Sequence, residues 1–259
     1  MARRPLALIT GASSGIGAAF AERLAADGHD LILVARRRSR LEELADRLKG
    51  VEVDVIAADL AEPDMRRSVE ARLADDPVAL LVNNAGFGGY TRFVELDPDV
   101  AERQIQLHCV ATVRLTRAAL PGMIARKSGG VINVSSLLSL SGPMKMPHLH
   151  RANYAATKAF ITTFTQILSH ELEGTGVGVQ ALLPGIVRSE FHDALGGTPK
   201  GVPVAEASDV VAASLKALHA GDIISAPAVA DADALERVAA AQRALFSWRR
   251  PPPDAERGR

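Results

Sequence analysis

Thr10-Gly11-Ala12-Ser13-Ser14-Gly15-Ile16-Gly17 follows a short apolar run, Leu6–Thr10, and opens a stretch in which Ile16, Phe20 and Leu24 recur every four residues before Gly28. The run reads as a buried strand, the four-residue repeat as a helix and Gly28 as its stop. Glycines placed between such a strand and such a helix permit a tight turn. They also let the backbone approach a pyrophosphate held on the free N–H groups and positive dipole end of the helix. The turn lacks the Gly-Lys-Ser/Thr ending of a nucleoside triphosphate loop.

The same alternation continues outward from this turn. Short apolar runs recur at Leu31–Ala35, Val53–Ala57, Leu80–Asn83, Val131–Ser135, Val179–Leu183 and Asp222–Ser225, separated by longer stretches with helical spacing. Most runs are continuously apolar, as expected of strands covered on both faces. The fold class is therefore α/β, a doubly wound seven-stranded parallel sheet with helices on both faces, in a single domain over 1–248. Two irregular pieces interrupt the rhythm, Ser139–Arg151 and Phe191–Val204, and are candidates for substrate-facing lids. A helix is expected near Asp231–Ser247, followed by Trp248, and the polar, proline-rich 249–259 is expected to be disordered.

Composition narrows the function. Of 259 residues, 30 are Lys or Arg and 30 are Asp or Glu, so no global field draws the chain to nucleic acid or an anionic membrane. No apolar run approaches the ~20 residues that span a bilayer. A single Cys permits no internal disulfide and suits a reducing cytoplasm. Where a dinucleotide site reads the adenosine ribose, the second strand ends in Ala35-Arg36-Arg37 and carries no Asp or Glu. Guanidinium groups there favour a 2′-phosphate, hence NADP(H) over NAD, with Arg36 the first candidate and Arg37 the second.

With Asn83-Asn84-Ala85-Gly86 after the fourth strand and Tyr154-Ala155-Ala156-Thr157-Lys158 later, the chain resembles the short-chain dehydrogenase/reductase family, in its compact single-domain branch with a Rossmann fold. Tyr154 and Lys158 lie four apart on a helix and share a face, where an ammonium is expected to lower the phenol's pKa and make it a usable acid and base. The resemblance implies catalytic roles for Tyr154, Lys158 and a serine that holds the substrate oxygen. It also implies that Gly11, Ser13, Ser14, Gly15, Ile16 and Gly17 hold the cofactor phosphates, and Asp59 and Leu60 the adenine. Asn83, Ala85, Gly86, Pro184, Gly185, Ile186 and Ser189, together with Tyr154 and Lys158, complete the implied cofactor contacts. No metal is expected.

Two positions depart from the family pattern. The helix expected over Pro98–Arg126 puts His108 where the family has a catalytic Asn; it shares a stripe with Ile105, Thr112, Leu115 and Ala119 and reads either as a core histidine or as a proton relay to Lys158. Ser136 precedes Tyr154 by eighteen residues, more than is usual, so Ser141 rivals it, although Ser136 directly follows a strand. Tyr90, the second of two tyrosines, has no partner pattern. The reading is an NADP(H)-dependent oxidoreductase acting on a small-molecule carbonyl or alcohol. Its alternative is a catalytically weak NADP(H)-binding sensor or scaffold. By resemblance a homodimer or homotetramer is expected, with no nucleic-acid or membrane partner.

Overall fold

The computed structural model describes residues 4–190, 201–231 and 233–246. Chain contacts divide it into two compact units, Met1–Pro227 and Ala228–Arg259. The first contains strands β1 (Leu6–Thr10), β2 (Asp30–Ala35), β3 (Val53–Ala57), β4 (Val78–Asn83), β5 (Gly129–Val134), β6 (Val177–Leu182) and β7 (Ile224–Ser225). They pair in the order β3-β2-β1-β4-β5-β6-β7, all parallel. This is the expected doubly wound sheet. The second unit contributes one described helix, Ala234–Leu245, inside the stretch expected to be helical. Trp248 and 249–259 lie outside the described residues.

Both faces of the sheet are covered, and successive side chains of one strand divide between two cores. Ala7 and Ile9 pack with Phe20 and Leu24 of α1 (Gly15–Ala26), Leu41 and Leu44 of α2 (Arg38–Arg47), and Val211 and Leu215 of α7 (Ala207–Ala220). Leu8 points the other way, among Val69 and Leu73 of α3 (Pro63–Asp75), Leu115 and Met123 of α5 (Ala111–Ala125), and Leu172 just past α6 (Ala152–Glu171). A strand buried on both sides has no polar face to offer, which is why its sequence is uninterruptedly apolar. Among the described residues no helix is long and apolar enough to cross a membrane.

The long helix expected over Pro98–Arg126 is present but not regular. Helix α4 (Pro98–Ile105), capped by Asp97 Oδ1 accepting from the Asp99 amide at 2.8 Å, runs through a π turn, Gln106–Val110, into α5. A π turn adds one residue and shifts the preceding face by about 100°. The expected stripe therefore fails at its first member. Ile105 is 44% exposed, and Gln104, fully buried, takes the inward place.

A polar thread crosses the apolar core. Asn83 and Asn133 are paired in register on β4 and β5; Asn83 Nδ2 donates to Thr116 Oγ1 at 3.1 Å and to Asn133 Oδ1 at 2.8 Å, and Asn133 Nδ2 donates to Thr165 Oγ1 at 3.0 Å. This ties α5 to α6 through two strands. Asn133→Ala removes the acceptor of one buried Asn83 N–H and the donor to Thr165 Oγ1, each group keeping its other partner, so urea unfolding should show a loss of about 1–3 kcal/mol.

Candidate active site

The carboxyl ends of β1 and β4 meet where the winding of the sheet reverses, the place where a parallel sheet opens a crevice. Thr10 Oγ1 donates to Val82 O at 3.2 Å and accepts from the Asn84 and Ala85 amides at 2.9 and 3.0 Å. Asn84 Nδ2 donates back to Thr10 O and Gly11 O at 3.0 and 3.2 Å. This leaves no room for a side chain in the turn. A Cβ on Gly11 would sit 2.8 Å from Ala85 Cα, and one on Gly17 would sit 2.3 Å from Gly11 O. Gly11 also has φ +65°, a left-handed conformation that favours glycine.

The crevice is lined by Gly11, Ser13, Ser14, Arg36, Arg37, Asp59, Leu60, Ala85 and Gly86, nine of the nineteen residues expected to hold a cofactor. Ile16 and Gly17 continue from the turn into α1. A cradle that any Cβ would fill, the amino end of α1 and a pair of serine hydroxyls fit a dinucleotide. Arg37 makes the nearer contacts of the two arginines. Its Nη2 donates to Ser13 Oγ at 3.1 Å and Ser14 Oγ at 3.3 Å, while Arg36 lines the same crevice. Asp59 Oδ1 accepts from the Ala61 amide at 3.0 Å and Oδ2 from Arg103 at 2.7 Å. Asn83 does not line the crevice, and its Nδ2 is engaged in the core thread. Asn84, the neighbour, shapes the turn, a role that its place in the Asn83–Gly86 motif does not by itself reveal.

The expected catalytic residues converge beside this crevice. Tyr154 occupies the first turn of α6, with Lys158 one turn on; the Lys158 ammonium lies 5.7 Å over the Tyr154 ring and donates to Val134 O at 2.9 Å. Ser136 follows β5, caps the short 3-10 helix Leu137–Leu140 by accepting from the Leu138 amide at 3.1 Å, and is hydrogen-bonded to Tyr154. Ser141 is placed differently. Its Oγ donates to Leu138 O and accepts from Arg151 Nε, each at 2.8 Å, and Arg151 also donates to Ser141 O and Met144 O. The segment Ser139–Arg151 is thus a braced loop, not a loose flap. Of the second candidate lid, 191–200 lies outside the described residues.

Burial reverses the expected electrostatics. Loss of water, then the neighbouring Tyr90 phenol, raises the Tyr154 pKa well above that of an ordinary phenol, against a smaller lowering by the Ser136 hydrogen bond. The expected lowering by Lys158 is not realised, because the lysine itself is wholly buried and its pKa falls to about 8. At neutral pH Tyr154 is a protonated donor. Tyr90, which has no partner pattern in the sequence, stands with its ring edge-on to Tyr154 at 5.5 Å, and the two hydroxyls are hydrogen-bonded. Nothing in its spacing signals this. The loop after Gly86 folds back over α6.

His108 is 1% exposed and both ring nitrogens are engaged. The Phe87 amide donates to Nε2 at 3.2 Å, and Nδ1 lies 2.9 Å from Thr157 Oγ1, whose proton goes to Tyr154 O at 2.8 Å. Nδ1 must therefore carry the hydrogen, giving one neutral tautomer. Burial, with the Lys158 charge, holds its pKa well below the usual imidazole value. A Cβ on Gly86 would be 3.0 Å from His108 Nε2 and 3.7 Å from Lys158 Nζ, so the three positions share one wall. Gln104 works with it, donating to Phe87 O at 3.3 Å and accepting from Asn153 at 2.7 Å. Burial lifts the Cys109 thiol to about 11 and keeps it unreactive.

Beyond β6, Pro184 O accepts from the Leu137 amide at 3.0 Å, joining the Pro184–Ser189 segment to the Ser136 turn. Val187 bridges to Ala205, with the Ala205 amide donating to Ile186 O at 2.9 Å. Gly185 and Ile186 thus reach the same end of the sheet as Ser136 and Tyr154. Ser189 lies against the glycine turn, its Cβ 3.0 Å from where a Cβ on Gly15 would be.

Comparison with known proteins agrees with this geometry. The family model for short chain dehydrogenases matches residues 5–199. A solved short-chain dehydrogenase from Sphingobium yanoikuyae in complex with NADPH is 36% identical with a TM-score of 0.90, covering 98% of this chain and all of that one. A bulky-bulky ketone specific alcohol dehydrogenase from Comamonas testosteroni is 34% identical, with a TM-score of 0.86 and 99% of each chain covered. The human very-long-chain 3-oxoacyl-CoA reductase is 34% identical over 71% of this chain, which spans 60% of that relative's length. Sheet order, glycine turn and the matched family model together make the chain a member of the short-chain dehydrogenase/reductase family of oxidoreductases.

Proposed function

We propose that the protein is an NADP(H)-dependent oxidoreductase that interconverts a carbonyl compound and a secondary alcohol. The observation that carries this reading is the convergence of the Ser136 and Tyr154 hydroxyls, with Lys158 behind them, beside the glycine cradle. The nicotinamide supplies or accepts the hydride when bound. Gly11, Ser13, Ser14, Gly15 and Gly17 would receive its phosphates, Asp59 and Leu60 its adenine, and the Pro184–Ser189 segment its nicotinamide side. Arg37 with Arg36 would take a 2′-phosphate, which supports NADP(H) over NAD.

The chain's own groups then divide the work. Ser136 and Tyr154 hold the substrate oxygen. In reduction Tyr154 gives up its phenolic proton to that oxygen, and the buried Lys158 charge stabilises the phenolate left behind. His108, locked in one tautomer, positions the Phe87 loop and the first turn of α6 and passes no proton. The substrate would be medium-sized and largely apolar, in keeping with the Leu and Met residues of the braced loop. A sensor or scaffold role is disfavoured by so complete a set of converging groups. Exposed Phe160 and Ile167 on α6, with Phe164 stacked on Phe160 at 6.1 Å, support a homodimer formed along this helix; one buried thiol is compatible with a cytoplasmic setting.

Incubation with NADPH or NADH and a panel of ketones, aldehydes and quinones tests the activity, and no oxidation of either cofactor would refute it. Tyr154→Phe should abolish turnover while NADPH binding persists. Ser136→Ala should lower kcat by at least about a hundredfold, whereas Ser141→Ala should lose stability and keep most turnover; the opposite ranking would move the catalytic role to Ser141.

Lys158 links stability to pH with a definite sign. Its folded pKa of about 8 lies below the ordinary 10.5, so the unfolded chain binds more protons between these values and stability attributable to this residue rises with pH across that window. Lys158→Met should therefore be inactive yet more stable than wild type at pH 7, by about 3 kcal/mol. Urea unfolding at pH 7 and pH 10 should show the gap closing at the higher pH. Light scattering of Phe160→Glu should show the mass of a monomer where wild type shows a dimer.

A further inference from the structure

The arginine placed to read a 2′-phosphate already holds an anion. Glu190 Oε2 accepts from both Arg37 Nη1 and Arg37 Nη2 at 3.0 Å, and its other oxygen lies 3.8 Å from Arg40. The same Arg37 Nη2 donates to Ser13 and Ser14 of the glycine turn. Just before Glu190, Ser189 abuts Gly15, and Val187 is pinned to Ala205. Val187–Glu190 therefore runs from the anchored end of β6, past the amino end of α1, to a carboxylate on Arg37.

We propose that Glu190 is an internal competitor for the 2′-phosphate site, so that a cofactor bearing this phosphate must displace the carboxylate from Arg37 and Arg40 before it is held. The inference rests on the assignment of Arg37 to the 2′-phosphate. Two features support it. A phosphate matches the guanidinium fork as well as a carboxylate does and carries more charge, so it can win the exchange. The ion pair is also half exposed, with side-chain exposures of 46% on both partners, and an exposed pair is weak enough to be broken reversibly. The discrimination against a cofactor with a free 2′-hydroxyl is then sharper than one arginine would give. Such a cofactor has nothing to offer Arg37 in exchange for Glu190, so the strap stays fastened across the glycine turn.

The test uses 2′,5′-ADP and 5′-AMP, which differ only in the 2′-phosphate, titrated calorimetrically into the full chain at low salt. Glu190→Gln should tighten 2′,5′-ADP by about two- to fivefold, the range open to an exposed pair, and leave 5′-AMP within error. Arg37→Gln should weaken 2′,5′-ADP by about tenfold and spare 5′-AMP. In the double variant Arg37→Gln/Glu190→Gln, the gain from Glu190→Gln should largely vanish. If Arg37→Gln weakens 2′,5′-ADP but Glu190→Gln leaves it unchanged or weakens it, the competition is refuted and the phosphate assignment stands. Equal tightening of both ligands by Glu190→Gln also refutes the competition, since a general charge effect would explain it. If Arg37→Gln spares both ligands, the phosphate assignment falls and the competition with it.

Discussion

The hydroxyl of Thr10, buried at the end of β1, bonds one carbonyl of β4 and the two amides that follow it. Each such bond contributes on the order of 1 kcal/mol, but together they close the point where the sheet reverses its winding. Every functional element is referred to this closure. Asn84 is aimed at the carbonyls of the glycine turn because β4 ends where Thr10 holds it, and Gly86 reaches the His108 and Lys158 wall because Ala85 is tied down one residue earlier. A turn held from beneath in this way presents its amides outward without adjustment. That preorganisation is what a phosphate site needs, since a ligand then gives up no binding free energy to arrange it.

Tyr154, the proposed acid/base group, stands in a second environment, and there water exclusion dominates. Tyr154 is 6% exposed and Lys158 5%. A dry site raises the phenol and lowers the ammonium, so each group is pushed toward neutrality, and the cost of charging one is offset only by charging the other nearby. The Tyr154–Lys158 spacing thus does not lower the pKa of the resting phenol. It makes the phenolate and the ammonium a coupled pair, each cheaper in the presence of its partner. The carbonyl of Val134 is the fixed acceptor that keeps the ammonium in place while the phenol changes state.

Much of this was legible in the sequence, and what was not has a physical reason. Strand positions follow from apolar runs because a doubly covered strand leaves no alternative, and the observed strands differ from the expected ones by a residue or two at their ends. The glycine turn, Ser136, Tyr154 and Lys158 are legible as candidates because the family resemblance assigns them fixed places on the chain, and the structure brings them to one end of the sheet. Tyr90, Gln104 and Glu190 were invisible for the opposite reason: their partners Tyr154, Phe87 and Arg37 are set by how loops fold back, which no local period records. The phenol pKa was expected in the wrong direction because a sequence shows the neighbouring charge but not the missing water. The Ile105 expectation failed because one extra residue in a helical turn leaves no mark in composition.

That extra residue has a consequence for how the chain can change length. The π turn Gln106–Val110 works as a phase adjuster between α4, whose Gln104 and Arg103 hold the Phe87 loop and Asp59, and α5, whose Leu115 and Met123 fill the core. Removing one residue there would give a more regular helix with better hydrogen bonds, and would turn every side chain of α4 by about 100° relative to α5. Local regularity and a working site thus pull in opposite directions at this turn. The less perfect helix is the one that keeps both halves in step.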